Sequence, residues 1–172
     1  MDLKSKIRNI PDFPVKGIQF KDITTLLKDK EAYKYCIDSI TEHCKSLNID
    51  YIAGIEARGF IIGAPVAYNL NIGFLLIRKK GRLPADVESI SYKLEYGENI
   101  LEIHRDAFKK DDRIMVIDDL LATGGTTLAV FKLIEKLNGK VVGADFIVEL
   151  EMLHGREKLK GYDVFSLVKY EA

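Results

Sequence analysis

Two adjacent carboxylates, Asp118 and Asp119, stand directly before the turn Thr123-Gly124-Gly125-Thr126-Thr127. Glycines without a Cβ let backbone amides wrap closely around a tetrahedral anion, and threonines add hydroxyl donors. A helical pattern opens behind the turn with Leu128, Phe131, Leu133, Ile134 and Leu137. Its unsatisfied N–H groups and positive dipole end face the same spot, which is where phosphates settle. The turn is not a P-loop, because no Gly-Lys-Ser/Thr follows, and it is not the dinucleotide fingerprint. Carboxylates at its mouth would repel a bare polyphosphate. They suit vicinal ribose hydroxyls or a Mg²⁺ ion held on the ligand. The chemistry implied is recognition of a phosphorylated, hydroxyl-bearing molecule.

Two other turns carry positive charge. Arg58 lies in Glu56-Ala57-Arg58-Gly59, and Arg78, Lys79, Lys80 and Arg82 put four cations into five positions. The plain alternative for this second group is a solvated basic face. Glu95, beside Tyr96, falls in a hairpin excursion and by pattern alone reads as an exposed carboxylate. His43, His104 and His154 are scattered singly, with no pair at metal-ligand spacing, so a protein-held zinc is not expected. Cys36 and Cys44 are eight apart on one helix, about 12 Å of rise and beyond disulfide reach.

Buried strands position these turns. Tyr51–Ile55, Ile72–Ile77 and Ile114–Ile117 are short apolar runs of the kind buried on both faces of a sheet. Glu31–Leu47 shows one helical face, with Asp29 or Asp22 as its cap, and Phe60–Leu70 reads as a helix despite Pro65. Ser89–Tyr96 and Ile100–His104 alternate as a hairpin turned at Gly97-Glu98-Asn99. Val141–Leu150 and Asp163–Val168 are further strands around a short helix, Leu153–Leu159. At the N-terminus, residues 2–9 read as a short amphipathic helix stopped by Pro11, and residues 11–20 as an ordered arm without regular structure. The order predicts an α/β fold: a mostly parallel sheet flanked by helices, with a hairpin excursion and an N-terminal arm. In such sheets ligands bind beyond the carboxyl ends of the strands, where all three turns fall.

At 172 residues the chain fits one domain. Lysine plus arginine equals aspartate plus glutamate, 26 against 26, which argues against a nucleic-acid partner. No apolar run approaches the ~20 residues that span a bilayer, and the first residues do not form a secretory leader. A cytoplasmic, membrane-free protein is the expectation.

The run Val116-Ile117-Asp118-Asp119-Leu120-Leu121-Ala122-Thr123-Gly124-Gly125-Thr126 resembles the phosphoribosyl-diphosphate motif of the type I phosphoribosyltransferases, in the wording of their adenine-using members. Further matches run in the family's order: Pro11-Asp12-Phe13-Pro14, Phe20-Lys21-Asp22-Ile23, Ala57-Arg58-Gly59-Phe60, Leu76-Ile77-Arg78-Lys79, Leu94-Glu95-Tyr96-Gly97 and Gly155-Arg156-Glu157-Lys158-Leu159.

The resemblance implies a purine-salvage enzyme that transfers the 5-phosphoribosyl group of 5-phosphoribosyl 1-diphosphate to adenine, giving AMP and diphosphate. By the same resemblance, Asp118 and Asp119 hold the ribose hydroxyls, and Ala122, Thr123, Gly124, Gly125 and Thr126 cradle the 5-phosphate. Arg58 meets the diphosphate, with Arg78, Lys79 and Arg82 adding charge; many relatives carry lysine at the position of Arg82. Gln19, Phe20 and Lys21 line the adenine pocket, Phe20 stacking on the base, and Glu95 is the proton-transfer group. Mg²⁺ is expected as the cofactor, carried by the donor and assigned to no protein side chain. Residues 1–172 form the phosphoribosyltransferase domain, with 1–28 as the base-pocket arm and 79–99 as a mobile loop over the site. Family members are dimers, and apolar residues around Phe60–Tyr68 are the expected contact.

Overall fold

The protein is described by a computed structural model covering residues 1–94 and 97–171. A single 3₁₀ turn over Lys4–Lys6 leads into strand β1, Arg8–Pro11, which pairs antiparallel with β2, Gln19–Asp22. This replaces the helix expected over residues 2–9. Leu3 and Ile7 are buried as an amphipathic pattern requires, but an eight-residue helix is marginal alone. Pairing Arg8 with Asp22 and Ile10 with Phe20 gives the backbone a long-range partner instead. The connecting residues hold Phe13, whose ring meets Phe20 edge-on at 5.2 Å.

Of the two expected caps, Asp29 is the one that starts the long helix, while Asp22 lies one residue before the Ile23 cap of a shorter one. Asp22 accepts from the Thr24 amide at 2.9 Å just ahead of the short helix α1, Thr24–Leu27. Asp29 accepts from the amides of Glu31 and Ala32, each at 3.1 Å, to start α2, Lys30–Lys45. Next come β3, Tyr51–Ile55, α3, Arg58–Leu70, and β4, Gly73–Lys79.

Pro65 sits inside α3 and cannot donate to the carbonyl of Ile61 one turn back. The hydroxyl of Tyr33, on α2, donates to that carbonyl at 2.6 Å. A side chain from the neighbouring helix thus satisfies the acceptor that proline leaves open.

The hairpin follows as β5, Val87–Leu94, and β6, Gly97–His104. Gly97, Glu98 and Asn99 pair with Leu94, Lys93 and Tyr92, so they belong to a strand and not to the expected turn. Glu95 and Tyr96 lie outside the described residues. Then come β7, Arg113–Leu121, α4, Gly125–Lys136, and β8, Lys140–Leu150. The short helix expected at Leu153–Leu159 is two 3₁₀ turns, Glu151–Leu153 and Gly155–Leu159, broken where His154 takes a left-handed φ of 54°. Strand β9, Asp163–Tyr170, ends the described chain.

Seven strands form one sheet in the order β5-β6-β4-β3-β7-β8-β9. The five from β4 to β9 are parallel, and the hairpin adds two antiparallel strands at the β4 edge. Alternation along β7 divides the core. Met115 and Ile117 face Cys36, Ile40, Ile62 and Val66 of α2 and α3. Ile114 and Val116 face Val130, Phe131 and Ile134 of α4. Each large side chain buried this way contributes roughly 1.5–3 kcal/mol. A strand covered on both sides leaves polar residues room only at its ends, and β7 changes character at Asp118 for that reason. Both cysteines are free and buried, and burial pushes the Cys36 thiol up to about 12.

Candidate active site

The carboxyl end of β7 and the first turn of α4 enclose a cleft of about 190 Å³ lined by Arg58 and by residues 118–127. Asp118, Asp119, Ala122, Thr123, Gly124, Gly125 and Thr126 therefore share one site with Arg58, which opens the neighbouring α3. Strands β3 and β7 are adjacent and parallel, so the turns after them must emerge side by side. Gly124 has a left-handed φ of 76°. A Cβ there would stand 2.5 Å from the carbonyl oxygen of Gly155, so glycine answers both a conformational and a spatial demand.

Charge in this cleft is concentrated and partly paired. Asp119 is 5% exposed and accepts from Arg58 Nε at 2.5 Å. Asp118 Oδ1 accepts from the Asp119 amide at 2.9 Å. Burial pushes the Asp118 carboxyl well above the usual carboxylate range, and the charge of Asp119 adds to this while Arg58 opposes it. Burial alone would lower Arg58, but the hydrogen bond and charge of Asp119 outweigh it and leave the guanidinium raised. Two carboxylates, one held by a cation and one resisting ionisation, are well placed to accept hydrogen bonds from a diol. Thr126 Oγ1 donates to Tyr92 Oη at 3.2 Å, tying the turn to strand β5 of the hairpin.

The basic turn lies one strand further out, at the end of β4 and outside this cleft. Glu56 organises it, accepting from the Lys79 amide at 2.5 Å and from Arg78 Nη2 at 3.3 Å. Arg78 Nη1 donates to the Arg82 carbonyl at 3.1 Å, and Arg78 Nε is buried with no partner among the described residues. Glu56 is a residue the sequence reading missed. Its signal was a lone carboxylate at a strand end facing a run of cations.

In the arm, Lys21 Nζ donates to Asn9 Oδ1 at 2.9 Å and lies 4.3 Å from the Tyr170 ring centre, while Gln19 Oε1 accepts from Asn9 at 2.7 Å. Gln19, Phe20 and Lys21 do not line the 190 Å³ cleft. The next residue, Asp22, is near enough for its charge to act on Arg58.

Two other places compete for attention. A wider groove of about 660 Å³ is lined by Glu149, Arg156, Leu159 and Tyr162. Its Arg156 is already committed to Glu149, at 2.9 and 2.5 Å, and to the Val164 carbonyl at 2.6 Å. The second place gathers one of the three histidines with a thiol and a carboxylate. His43, Cys44 and Asp145 bring three potential ligand atoms within 4.8 Å of one another. His43 Nδ1 lies 3.0 Å from Asp145 Oδ2 and its Nε2 lies 3.2 Å from Asp163, while the Cys44 thiol donates to Asp145 at 3.3 Å. Residues 43 and 145 are too far apart in the chain for spacing to have shown this.

The phosphoribosyl transferase domain matches residues 22–170. An adenine phosphoribosyltransferase of Clostridium kluyveri is 57% identical over 171 residues, 99% of each chain. The crystal structure of adenine phosphoribosyltransferase from Thermoanaerobacter pseudethanolicus superposes with a TM-score of 0.95 at 51% identity, covering 98% of both chains. The Saccharomyces cerevisiae adenine phosphoribosyltransferase, complexed with an imino-altritol bisphosphate and adenine, has a TM-score of 0.92 at 35% identity over 96% of both chains. Similarity of this extent covers the cleft, the hairpin and the arm alike, and the chain belongs to the adenine phosphoribosyltransferase family.

Proposed function

We propose that this chain catalyses a purine-salvage step, transferring the 5-phosphoribosyl group of 5-phosphoribosyl 1-diphosphate to adenine. The products are AMP and diphosphate. One observation carries the reading: the cleft joins a carboxylate pair, a Gly/Thr turn at a helix N-terminus and a guanidinium in one enclosure. A ribose 5-phosphate needs the first two, and a departing diphosphate needs the third.

In the reaction the bond from C1′ to the diphosphate oxygen breaks, adenine N9 bonds to C1′, and the N9 proton is lost. Asp118 and Asp119 accept from the 2′- and 3′-hydroxyls. The amides and hydroxyls of Ala122 to Thr126 hold the 5-phosphate, so the sugar is fixed at both ends before C1′ reacts. Among the described residues Arg58 is engaged only through Nε, which leaves its terminal nitrogens for the diphosphate. Arg78, Lys79 and Arg82 add positive charge on the side of β4.

The site's oxygen donors suit Mg²⁺, which takes one or two carboxylates together with substrate phosphates. The donor would carry it in, and Asp118 and Asp119 are the carboxylates lining the cleft it would enter. When bound, the ion supplies positive charge at the leaving group.

The arm over residues 1–28 supplies the base pocket. β1 and β2 form a sheet of two strands, so the second edge of β2 is open to a ligand among the described residues. Gln19 and Lys21, two apart, present their main-chain groups to the same edge, with Phe20 between them to stack on adenine. The loop over residues 79–99 closes on the site, with Glu95 as the proton-transfer group on family resemblance. Contact between Tyr92 and Thr126 supports a hairpin that reaches the phosphate turn.

Two copies pair through α3, where Ile61 is 44% and Tyr68 86% exposed, and light-scattering mass tests this. Among the described residues no helix is long and apolar enough to cross a membrane. A cytoplasmic location is part of the same proposal. Incubation with the donor, Mg²⁺ and a panel of labelled adenine, hypoxanthine, guanine and xanthine tests the whole reading. AMP should form from adenine in clear excess over the other products; no AMP, or a preferred 6-oxopurine, refutes it.

A further inference from the structure

The segment after β8 meets the phosphate turn backbone to backbone. A Cβ on Gly155 would stand 2.2 Å from the Ala122 carbonyl oxygen and 2.9 Å from the Gly124 nitrogen. From the other side, a Cβ on Gly124 would meet the Gly155 carbonyl oxygen at 2.5 Å. Gly155 is not one of the glycines with a positive φ. Glycine is required there for closeness alone.

The next residue explains why this contact is held in place. Arg156 sends Nε and Nη2 to the two carboxylate oxygens of Glu149, at 2.9 and 2.5 Å. Its Nη1 donates to the Val164 carbonyl at 2.6 Å and Nη2 reaches Ser166 Oγ at 3.4 Å. Glu149 is 2% exposed and lies on β8, while Val164 and Ser166 lie on β9. A planar fork with three engaged nitrogens fixes orientation as well as position. His154, just before, turns the chain with a left-handed φ of 54°. The Gly155 main chain is therefore anchored to two core strands through its neighbour, and the phosphate turn rests on it.

We propose that Gly155 and Arg156 are positioning residues for the 5-phosphate. Arg156 holds the Gly155 backbone as a stop against residues 122–124, and that stop sets where the turn's amides meet the phosphate. The inference rests on Ala122 to Thr126 being the 5-phosphate cradle. A side chain at 155 has to push the turn by about 1 Å to reach ordinary contact, and errors of that size in positioning groups cost on the order of 10²-fold.

Ribose 5-phosphate and inorganic diphosphate separate the two halves of the donor site. Their affinities, measured by calorimetry in magnesium buffer, are compared for the wild-type chain, Gly155→Ala and Arg156→Lys. Gly155→Ala should weaken ribose 5-phosphate roughly 10²-fold, and Arg156→Lys about 10-fold because an ammonium cannot reproduce the fork. Diphosphate should change less than about twofold in both, a split that general destabilisation does not produce. A folded Gly155→Ala with wild-type affinity for ribose 5-phosphate, or equal losses for both ligands, overturns the proposal. If Gly155→Ala does not fold by circular dichroism, Arg156→Lys decides on the same split. A wild-type chain that binds no ribose 5-phosphate and forms no AMP refutes the cradle itself, a result distinct from either variant's.

Discussion

Arg58 Nε lies 2.5 Å from Asp119 Oδ2, joining the residue we propose for the leaving group to one we propose for the sugar. The partners are unequal: the Asp119 side chain is 7% exposed and that of Arg58 49%. Removing the arginine strands a buried carboxylate, while removing the aspartate frees a cation that water can reach. Arg58→Ala should lower kcat/KM by about 10²-fold or more through lost charge at the leaving group. It should also cost about 1–2 kcal/mol of stability, reduced from the value for a fully buried pair because Arg58 is half exposed. Steady-state kinetics and thermal melts report the two effects separately, and a variant that loses neither contradicts both roles.

Asp118 gives the site a pH signature. Its carboxyl is pushed well above the usual range by burial and by Asp119, so it takes up a proton earlier than an ordinary carboxylate as pH falls. In the proposed role it is the ionised form that accepts from the ribose hydroxyls. kcat/KM for the donor should fall on an acid limb lying above about pH 4. Asp118→Asn should remove that limb and lower the plateau, and the Asp118→Asn/Asp119→Asn pair should lose orders of magnitude. Superimposable pH profiles for wild type and Asp118→Asn would count against the assignment.

His43 and Asp145 predict how stability itself depends on pH. His43 is raised, first by its hydrogen bond to Asp145, so its contribution is complete below the ordinary value of about 6.5 and is lost as pH rises through its folded pKa. Asp145 is raised by burial, against the opposing pull of His43, and its preference for a proton also makes the fold less stable as pH rises. Both slopes have the same sign. The melting temperature should drop by a few degrees from pH 6.5 upward, corresponding to about 1 kcal/mol. His43→Gln should flatten that slope, and an unchanged slope in the variant rules His43 out as its source.

Tyr33 and Pro65 allow a test by rescue. Tyr33→Phe leaves the Ile61 carbonyl without its donor and should cost about 1–2 kcal/mol. In a Pro65→Ala background the helix regains its own N–H donor, so the same tyrosine change should cost much less. The coupling energy from the four denaturation curves is the readout; strictly additive losses would mean that Tyr33 does not stand in for the missing amide.

What the sequence disclosed followed the range of each interaction. Asp118, Gly124 and the first turn of α4 lie within a dozen residues, so strand, turn and helix N-terminus were legible together. The tenant of that site was legible only in part, since the turn names a phosphate and a diol but no base. Long-range pairing was hidden. Residues 8–11 become a strand only because residues 19–22 lie beside them, and no local preference shows that. Gly155 gives no hint in its spacing that it touches Gly124, and His43 meets Asp145 across two elements of different type. The hairpin was visible as alternation, but its register was not, and three residues taken for the turn belong to β6.

The sheet of β1 and β2 stands apart from the seven-stranded one. The Arg8–Asp22 pair links its two strands to each other, and the chain flanking it is tied down by the Lys6–Asp29 pair at 2.7 Å and the Thr25 hydroxyl on the Lys6 carbonyl at 2.7 Å. A two-stranded ribbon is marginal by itself, so this part of the molecule opens at a lower free energy than the core. Gln19, Phe20 and Lys21, the residues proposed for the base, ride on it, whereas Asp118 and the proposed phosphate turn rise from a strand covered on both faces. On warming, discrimination between bases should therefore fade while the grip on the sugar phosphate persists, because the two halves of recognition melt on different schedules.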